Sequence, residues 1–172
     1  STTTVNGGTF DGKDNYNGFN VDADKGADVV INGGTYTNAG EGADLIYASA
    51  GGNVVINGGE FTIADGTATL GWTSCLLDAQ GGAKYTIYGG LVKGDIRDYN
   101  KNTTVYGGTF THSSVKNFLA TGYKAVKVGD LYYVLPEVIA DAATAENVTS
   151  VTESTADVAT ALATNNGEAT MF

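Results

Sequence analysis

Two carboxylates flank the single arginine of the chain, in the order Asp95, Arg97 and Asp98. Acidic and basic side chains held close together can transfer protons to and from a substrate, so this cluster is the candidate for catalysis. Three polar residues at the edge of a loop or strand are more often a solvated corner, and we favour that interpretation. The sequence therefore predicts no catalytic site, with these residues as the ones to check in the structure.

The other residues whose side chains could take part in catalysis or metal binding are scattered along the sequence. His112 is the single histidine, and a proton shuttle needs a partner within hydrogen-bond reach, so we expect a surface histidine. Asp11, Asp14, Asn15 and Asn17 form an oxygen-rich stretch without the ligand spacing of an EF-hand, which favours a polar loop. There is no Ser-His-Asp order, metal-spaced set of His and Cys, or phosphate loop. We expect no metal and no cofactor.

Three aromatic residues are candidates for contact with a sugar: Trp72, Tyr88 and Tyr106. The two tyrosines precede Gly-Gly pairs, at the position where earlier repeats carry Asn6, Asn32 and Asn57. We predict that this column faces outward, where stacked tyrosines could form a platform and an exposed tryptophan could contact a ligand. We favour two competing interpretations. The residues before the Gly-Gly pairs suit the geometry of the corner, and the tryptophan covers the core.

These residues must be positioned by a repeated pattern, in which a short β-rich run ends in a Gly-Gly pair. The pairs begin at positions 7, 33, 58, 89 and 107, so they lie 26, 25, 31 and 18 residues apart. A period in the twenties with β-branched residues and glycine corners is typical of a solenoid, in which successive coils stack on one core. The runs that carry the repeat span residues 3–10, 29–36, 54–61, 85–90 and 103–110.

Within the repeat, apolar positions alternate with polar ones. Segments 18–37, 43–62 and 74–93 align without a gap, and a period of two predicts strands with one face in the core. The inward columns include Ile31, Ile56 and Ile87, and the outward column is Asp22, Tyr47 and Asp78. We therefore predict an all-β fold, a short right-handed parallel β-helix with about three short strands in each coil.

We predict four parts along the chain. Residues 1–114 form the coils, 115–136 a β-hairpin cap, 137–153 a linker, and 154–172 a helix and a strand that serve as a cap or as the start of further β-structure. The hairpin is expected because residues 123–128 and 131–135 alternate around Gly129-Asp130, a two-residue turn. We therefore expect the repeats to be followed by a different structure at their C-terminal end.

Composition limits the class of partner. The chain has 172 residues, 25 of them glycine and one proline, and a net charge of −10. Many glycines with one proline favour tight corners over a disordered linker. The acidic charge argues against nucleic acid or an anionic membrane as partner. Cys75 is the single cysteine and shares an inward column, so we expect a buried, unreactive thiol and no disulfide within the chain.

Both ends of the chain suggest assembly. The first residues enter a repeat directly, and the last five read like a strand, so we expect a piece of something longer or assembled. An open strand edge at one end and a spare strand at the other are complementary, and head-to-tail contacts of this kind build filaments. The assembly candidates are Thr2, Thr3, Thr4 and Val5 at one end and Ala169, Thr170, Met171 and Phe172 at the other.

The repeated core V-x-[IV]-x-G-G-[TE]-[FY] resembles the coils of pectate-lyase-like β-helix proteins. Residues 118–126 with Tyr132, Tyr133 and Val134 are similar to the hairpin that often ends such arrays. The resemblance implies the fold and an exported or virion setting. It implies no particular activity, because that superfamily holds lyases, hydrolases, tailspikes, adhesins and inert stalks.

Our leading hypothesis is a non-enzymatic structural module of an extracellular filament, bacterial surface protein or phage fibre. Its partner would be a further copy of the chain, as a homo-oligomer or filament, or further domains of the same polypeptide. The alternative is a polysaccharide-binding or polysaccharide-cleaving domain, for which glycans would be the partner. In both cases we expect an extracellular, cell-surface or virion location.

Overall fold

The computed structural model describes residues 1–13, 18–39, 43–63 and 75–142. These residues are mainly β-strands. The strands are, in chain order, β1 (Thr2–Val5), β2 (Thr9–Asp11), β3 (Phe19–Ala23), β4 (Asp28–Ile31), β5 (Thr35–Asn38), β6 (Asp44–Ala48), β7 (Asn53–Ile56), β8 (Glu60–Ile63), β9 (Cys75–Ala79), β10 (Lys84–Ile87), β11 (Leu91–Lys93), β12 (Asp95–Asp98), β13 (Thr104–Val105), β14 (Thr109–Phe110), β15 (Tyr123–Val128) and β16 (Leu131–Pro136). A 3₁₀ helix spans Ser113–Asn117, and helix α1 spans Glu137–Ala142.

Every third strand joins the same sheet. Sheet A has the order β1-β4-β7-β10-β13, sheet B the order β15-β16-β14-β11-β8-β5-β2, and sheet C the order β12-β9-β6-β3. All pairs among β1–β14 are parallel, and β16 pairs antiparallel with both β14 and β15. We call each set of three consecutive strands from β1 to β12 a unit. The chain is therefore predominantly β with parallel sheets, as the repeats predicted.

The core lies between the three sheets. Ile31, Ile56 and Ile87 are neighbours in register on sheet A, and all three are fully buried. On sheet B the rings of Phe10, Tyr36 and Phe61 stack with centroids 4.7 and 4.8 Å apart. Stacking like side chains in register lets each unit bury its apolar face against the next one, which a single unit could not do.

A corner of three residues joins sheet A to sheet B in each unit. The second glycine of the corner has a positive φ, for example 113° at Gly59. Side chains with a Cβ rarely adopt this conformation, so the corner needs glycine. The backbone turns here between Ile56 and Phe61, which both point into the core.

Among the described residues, one end of the stack is open and the other is covered. The open end is formed by β1, β2 and β3, each of which pairs with one strand only within the described ranges. At the covered end, the Val105 amide donates to Phe118 O (2.8 Å), the Ala120 amide donates to Val105 O (2.9 Å), and β16 lies along β14. The Ile96 amide donates to Ser114 Oγ (3.0 Å), so the 3₁₀ helix region closes the edge of β12.

The segment after the repeats differs from expectation in one part. β15 and β16 form the antiparallel hairpin expected around Gly129-Asp130. Residues 137–142 form helix α1, although we expected a linker from residue 137 onwards. The Glu137 amide donates to Gly122 O (2.8 Å), and this contact holds the start of the helix against the hairpin. Neither helix of the described ranges is long and apolar enough to span a bilayer.

Candidate functional site

The catalytic candidates lie on β12, at the edge of sheet C. Arg97 is in register with Asp78 of β9, and its Nη2 forms an ion pair with Asp78 Oδ2. Gln80 Nε2 donates to the same oxygen at 2.9 Å. Asp78 is fully buried, and the Arg97 side chain is 17% exposed. Arg97 therefore compensates a buried negative charge, a role that structural ion pairs perform without chemistry.

Asp78 of the outward column is not exposed to solvent. Its outward side is covered because Arg97 and Gln80 bond to it. Strand alternation gives the side of the sheet, and it does not say whether that side is exposed. Tyr47 of the same column is only partly buried, and Asp22 is exposed, as expected.

Asp98 closes the loop after β12. Its Oδ2 accepts hydrogen bonds from the Thr103 amide and from Thr103 Oγ1, both at 2.7 Å, and its Oδ1 accepts from the Asn100 amide at 2.9 Å. The residue is 7% exposed. Aspartate commonly bonds to backbone groups a few residues on in this way, so these contacts make Asp98 a turn residue.

A buried carboxylate that we did not predict lies beside this cluster. Asp44 on β6 is 5% exposed, and its Oδ1 has no hydrogen-bond partner in the described part of the chain. Burial raises its pKa to about 7, and the charges of Asp78 and Asp95 add to that rise while Arg97 opposes it. Asp44 can thus exchange a proton near neutral pH.

Tyr85 links the core to this cluster. Its hydroxyl lies 2.7 Å from Ile46 O and 2.8 Å from Asp78 O and donates to these carbonyls, and the residue is fully buried. Burial raises the pKa of Tyr85 well above its ordinary value, and the nearby Asp78 and Asp44 charges raise it further. Tyr85 therefore stays neutral and serves as a hydrogen-bond donor that joins β6 to β9.

The described residues include no group of three or more His, Cys, Asp or Glu side chains that could hold a metal ion. His112 is exposed and caps the 3₁₀ helix, because its Nδ1 accepts a hydrogen bond from the Ser114 amide at 3.2 Å. This position agrees with the surface histidine that we expected. The sequence did not indicate the capping contact.

The outward column at the corners is confirmed. Asn57 Nδ2 donates to Asn32 Oδ1, and Asn32 Nδ2 donates to Asn6 Oδ1, each at 2.8 Å, in an exposed ladder of amides. Tyr88 and Tyr106 continue the column, 45% and 37% exposed, with ring centroids 5.2 Å apart and planes 18° apart.

The tyrosine rings stack on one another, so each ring covers one face of the other. Tyr123 meets Tyr106 edge to face, with centroids 5.5 Å apart. A sugar packs on an aromatic ring through the face, so stacking within the column removes part of the surface that a ligand would use. A role of Tyr88 and Tyr106 in binding stays a prediction.

The chain has no match among models of protein families, curated proteins or solved structures. The resemblance to pectate-lyase-like proteins therefore stays a prediction. Several candidates lie outside the described residues: Trp72, Asp14, Asn15, Asn17, Ala169, Thr170, Met171 and Phe172. The Cys75 side chain is also outside them, although its backbone begins β9.

Asp44 was the residue that sequence reasoning missed. It begins β6, where Asp44, Leu45 and Ile46 are buried one after another, so strict alternation does not hold at this point of the strand. The sequence carries no signal for this burial, because acidic residues are rarely buried unless they are paired.

The raised pKa of Asp44 predicts that the folded protein loses stability as the pH rises. The folded state keeps the Asp44 proton up to about pH 7, whereas the unfolded chain releases it near pH 4. Stability should therefore fall between about pH 4 and pH 7, with a contribution from Asp44 of roughly 4 kcal/mol at most. Urea unfolding at several pH values measures this slope.

Asp44→Asn should flatten the slope and make the protein more stable than the wild type at pH 8. The matched control is Asp22→Asn, because Asp22 is an exposed carboxylate on the neighbouring strand β3. That variant should keep the wild-type slope. Equal slopes for Asp44→Asn and the wild type would mean that Asp44 is already ionised in the folded protein.

Proposed function

We propose that this chain is a non-enzymatic structural module, a short right-handed parallel β-helix that joins further β-structure at its open end. The observation that carries the proposal is the difference between the two ends of the stack. β1, β2 and β3 each have a single partner strand within the described ranges, while hairpin and helix residues cover the other end. Solenoids whose ends are left uncovered expose strand edges that bind other strands.

The residues of the outer strands also differ between the two ends of the stack. β1 has the sequence Thr2-Thr3-Thr4-Val5, with no charge, proline or bulge, and its three threonines are exposed. The outer strand at the other end, β15, carries exposed Lys124 and Lys127. Lysines on an edge strand hinder the pairing of another strand, and uncharged β-branched residues favour it. We infer that the open end is the joining surface.

The proposal of a non-enzymatic role also has support from the catalytic candidates. Arg97 is engaged by buried Asp78, and Asp98 is engaged by the loop that it closes. Groups that hold a strand edge and a turn together are not available for proton transfer to a substrate. The glycan alternative draws less support, because the exposed tyrosines stack on each other.

The partner we propose is β-structure of the same kind, either in a longer polypeptide or in repeated subunits of a filament. An extracellular, cell-surface or virion setting is part of the proposal and depends on the resemblance of the Gly-Gly corners. No nucleic acid or membrane partner is proposed, since the net charge of −10 repels both polyanions and anionic lipids.

Electron microscopy and sedimentation of the intact chain test the proposal. In the repeated-subunit form of the proposal, the intact chain assembles into regular filaments in a concentration-dependent way, and removing residues 165–172 abolishes assembly while the circular dichroism of the β-structure is retained. A chain that stays monomeric at high concentration, with β1 amides protected from hydrogen exchange, would contradict the filament reading. Release of reducing sugar from polysaccharides would contradict the non-enzymatic role, and binding on a glycan array would favour the alternative.

A further inference from the structure

The first glycine of each corner lies directly against the corner of the preceding unit. A Cβ atom on Gly33 would lie 3.1 Å from the Asn6 carbonyl oxygen, and one on Gly58 would lie 2.8 Å from the Asn32 carbonyl oxygen. Neither glycine has a positive φ. A Cβ atom on Gly58 would therefore force the neighbouring backbone to shift, and one on Gly33 would press tightly against it, although the backbone conformation at these two positions does not require glycine.

Gly7 holds the same position in the first unit, but none of the described residues approaches it. A Cβ atom there would meet nothing within 4 Å, and Gly7 also has no positive φ. Nothing in the described structure thus requires glycine at position 7. The requirement would appear if the carbonyl oxygen of another unit lay against Gly7, as that of Asn6 lies against Gly33.

Two ladders also stop at the open end. Asn6 accepts a hydrogen bond from Asn32, and its own Nδ2 makes no hydrogen bond to the described residues. Phe10 begins the aromatic stack and is only partly buried, whereas Tyr36 and Phe61 behind it are fully buried. An amide donor and an aromatic face are therefore presented at the spacing of the next unit, in continuity with the contacts already made between units.

We propose that the open end binds one further Asn-Gly-Gly unit, stacked in parallel on β1 in the register that β1 keeps with β4. The asparagine of that unit accepts a hydrogen bond from Asn6 Nδ2, its carbonyl oxygen lies against Gly7, and its aromatic residue stacks on Phe10. This inference rests on the proposed function and names the partner that the open end recognises. Of the two forms of the proposed partner, it selects further units of the same polypeptide over repeated subunits, and it excludes a lone added strand and a second copy that meets the open end with its own open end.

An extended chain tests the proposal. A copy of residues 27–51, which carries the Asn-Gly-Gly corner of the second unit, is placed directly before Ser1, and a scrambled copy serves as control. We expect the copy to slow hydrogen exchange of the β1 amides by at least about tenfold, because they become interior. The scrambled extension should leave their exchange unchanged.

The Gly7→Ala variant then tests the register between the added unit and β1. In the unextended chain we expect the melting temperature to move by no more than about 1 °C, whereas Gly58→Ala in the same chain should lower it by at least about 4 °C. In the extended chain Gly7→Ala should become as damaging as Gly58→Ala. A Gly7→Ala variant that is equally harmless in both chains would overturn the proposed register.

The outcomes separate this inference from the proposed function. Filament formation by the intact chain together with a harmless Gly7→Ala in the extended chain would leave the structural role standing and refute the Asn-Gly-Gly partner. Failure of the copied unit to protect the β1 amides would also refute it. An Asn6→Cys variant in a Cys75→Ser background should stay free of disulfide-linked dimers, and their formation in high yield would identify a second copy as the occupant.

Discussion

Ile56→Asp is expected to leave most of the protein unfolded, whereas Thr86→Asp is expected to leave it folded. Ile56 is fully buried between Ile31 and Ile87 on sheet A, so an aspartate there would place a carboxylate without a partner in the core. The penalty is several kcal/mol, on the order of that for a buried, unpaired charge. The whole free energy of unfolding of a domain is about 5–15 kcal/mol, so this change removes a large part of it.

Thr86 is the matched control, since it lies one residue before Ile87 on the same sheet and faces outward, partly exposed. Thr86→Asp should cost about 1 kcal/mol or less, the usual range for surface substitutions. Thermal unfolding followed by circular dichroism measures both variants. Similar melting temperatures would show that the inward and outward faces of sheet A have been assigned wrongly.

Arg97→Met should destabilise the protein by about 3–5 kcal/mol, because it leaves the fully buried carboxylate of Asp78 without its counter-charge. Methionine keeps much of the length and apolar stem of arginine, so the loss should come from charge and hydrogen bonds. Urea unfolding at pH 7 gives the change in the free energy of unfolding. The variant should keep the wild-type denaturant dependence if it folds to the same structure.

Two further variants make this prediction specific. Asp78→Asn in the Arg97→Met background should restore most of the lost stability, because it removes the orphaned charge. Lys93→Met removes an ion pair with Glu60 at 2.5 Å whose side chains are 40% and 44% exposed, and it should cost less than about 1 kcal/mol. Equal losses for Arg97→Met and Lys93→Met would mean that Asp78 is accessible to water.

Local pattern was enough to predict the strands and their inward faces. Val54, Ile56 and Phe61 recur at one spacing in several repeats, and these positions are buried in register with their counterparts. The alternation around Gly129-Asp130 likewise predicted the hairpin of β15 and β16. Such features depend on period and turn chemistry, which a single sequence displays directly.

The sequence by itself determined the repeat, the apolar columns and the glycine corners, because each depends on residues near one another in the chain. Only the tertiary structure decided that Asp78 is buried by Arg97, that Asp44 is buried beside them, and that Gly7 has no close neighbour among the described residues. Those properties depend on contacts between residues on different strands, such as the pair 19 positions apart that joins β9 to β12. Period and phase assign a side chain to a face, and the neighbouring unit decides what covers it.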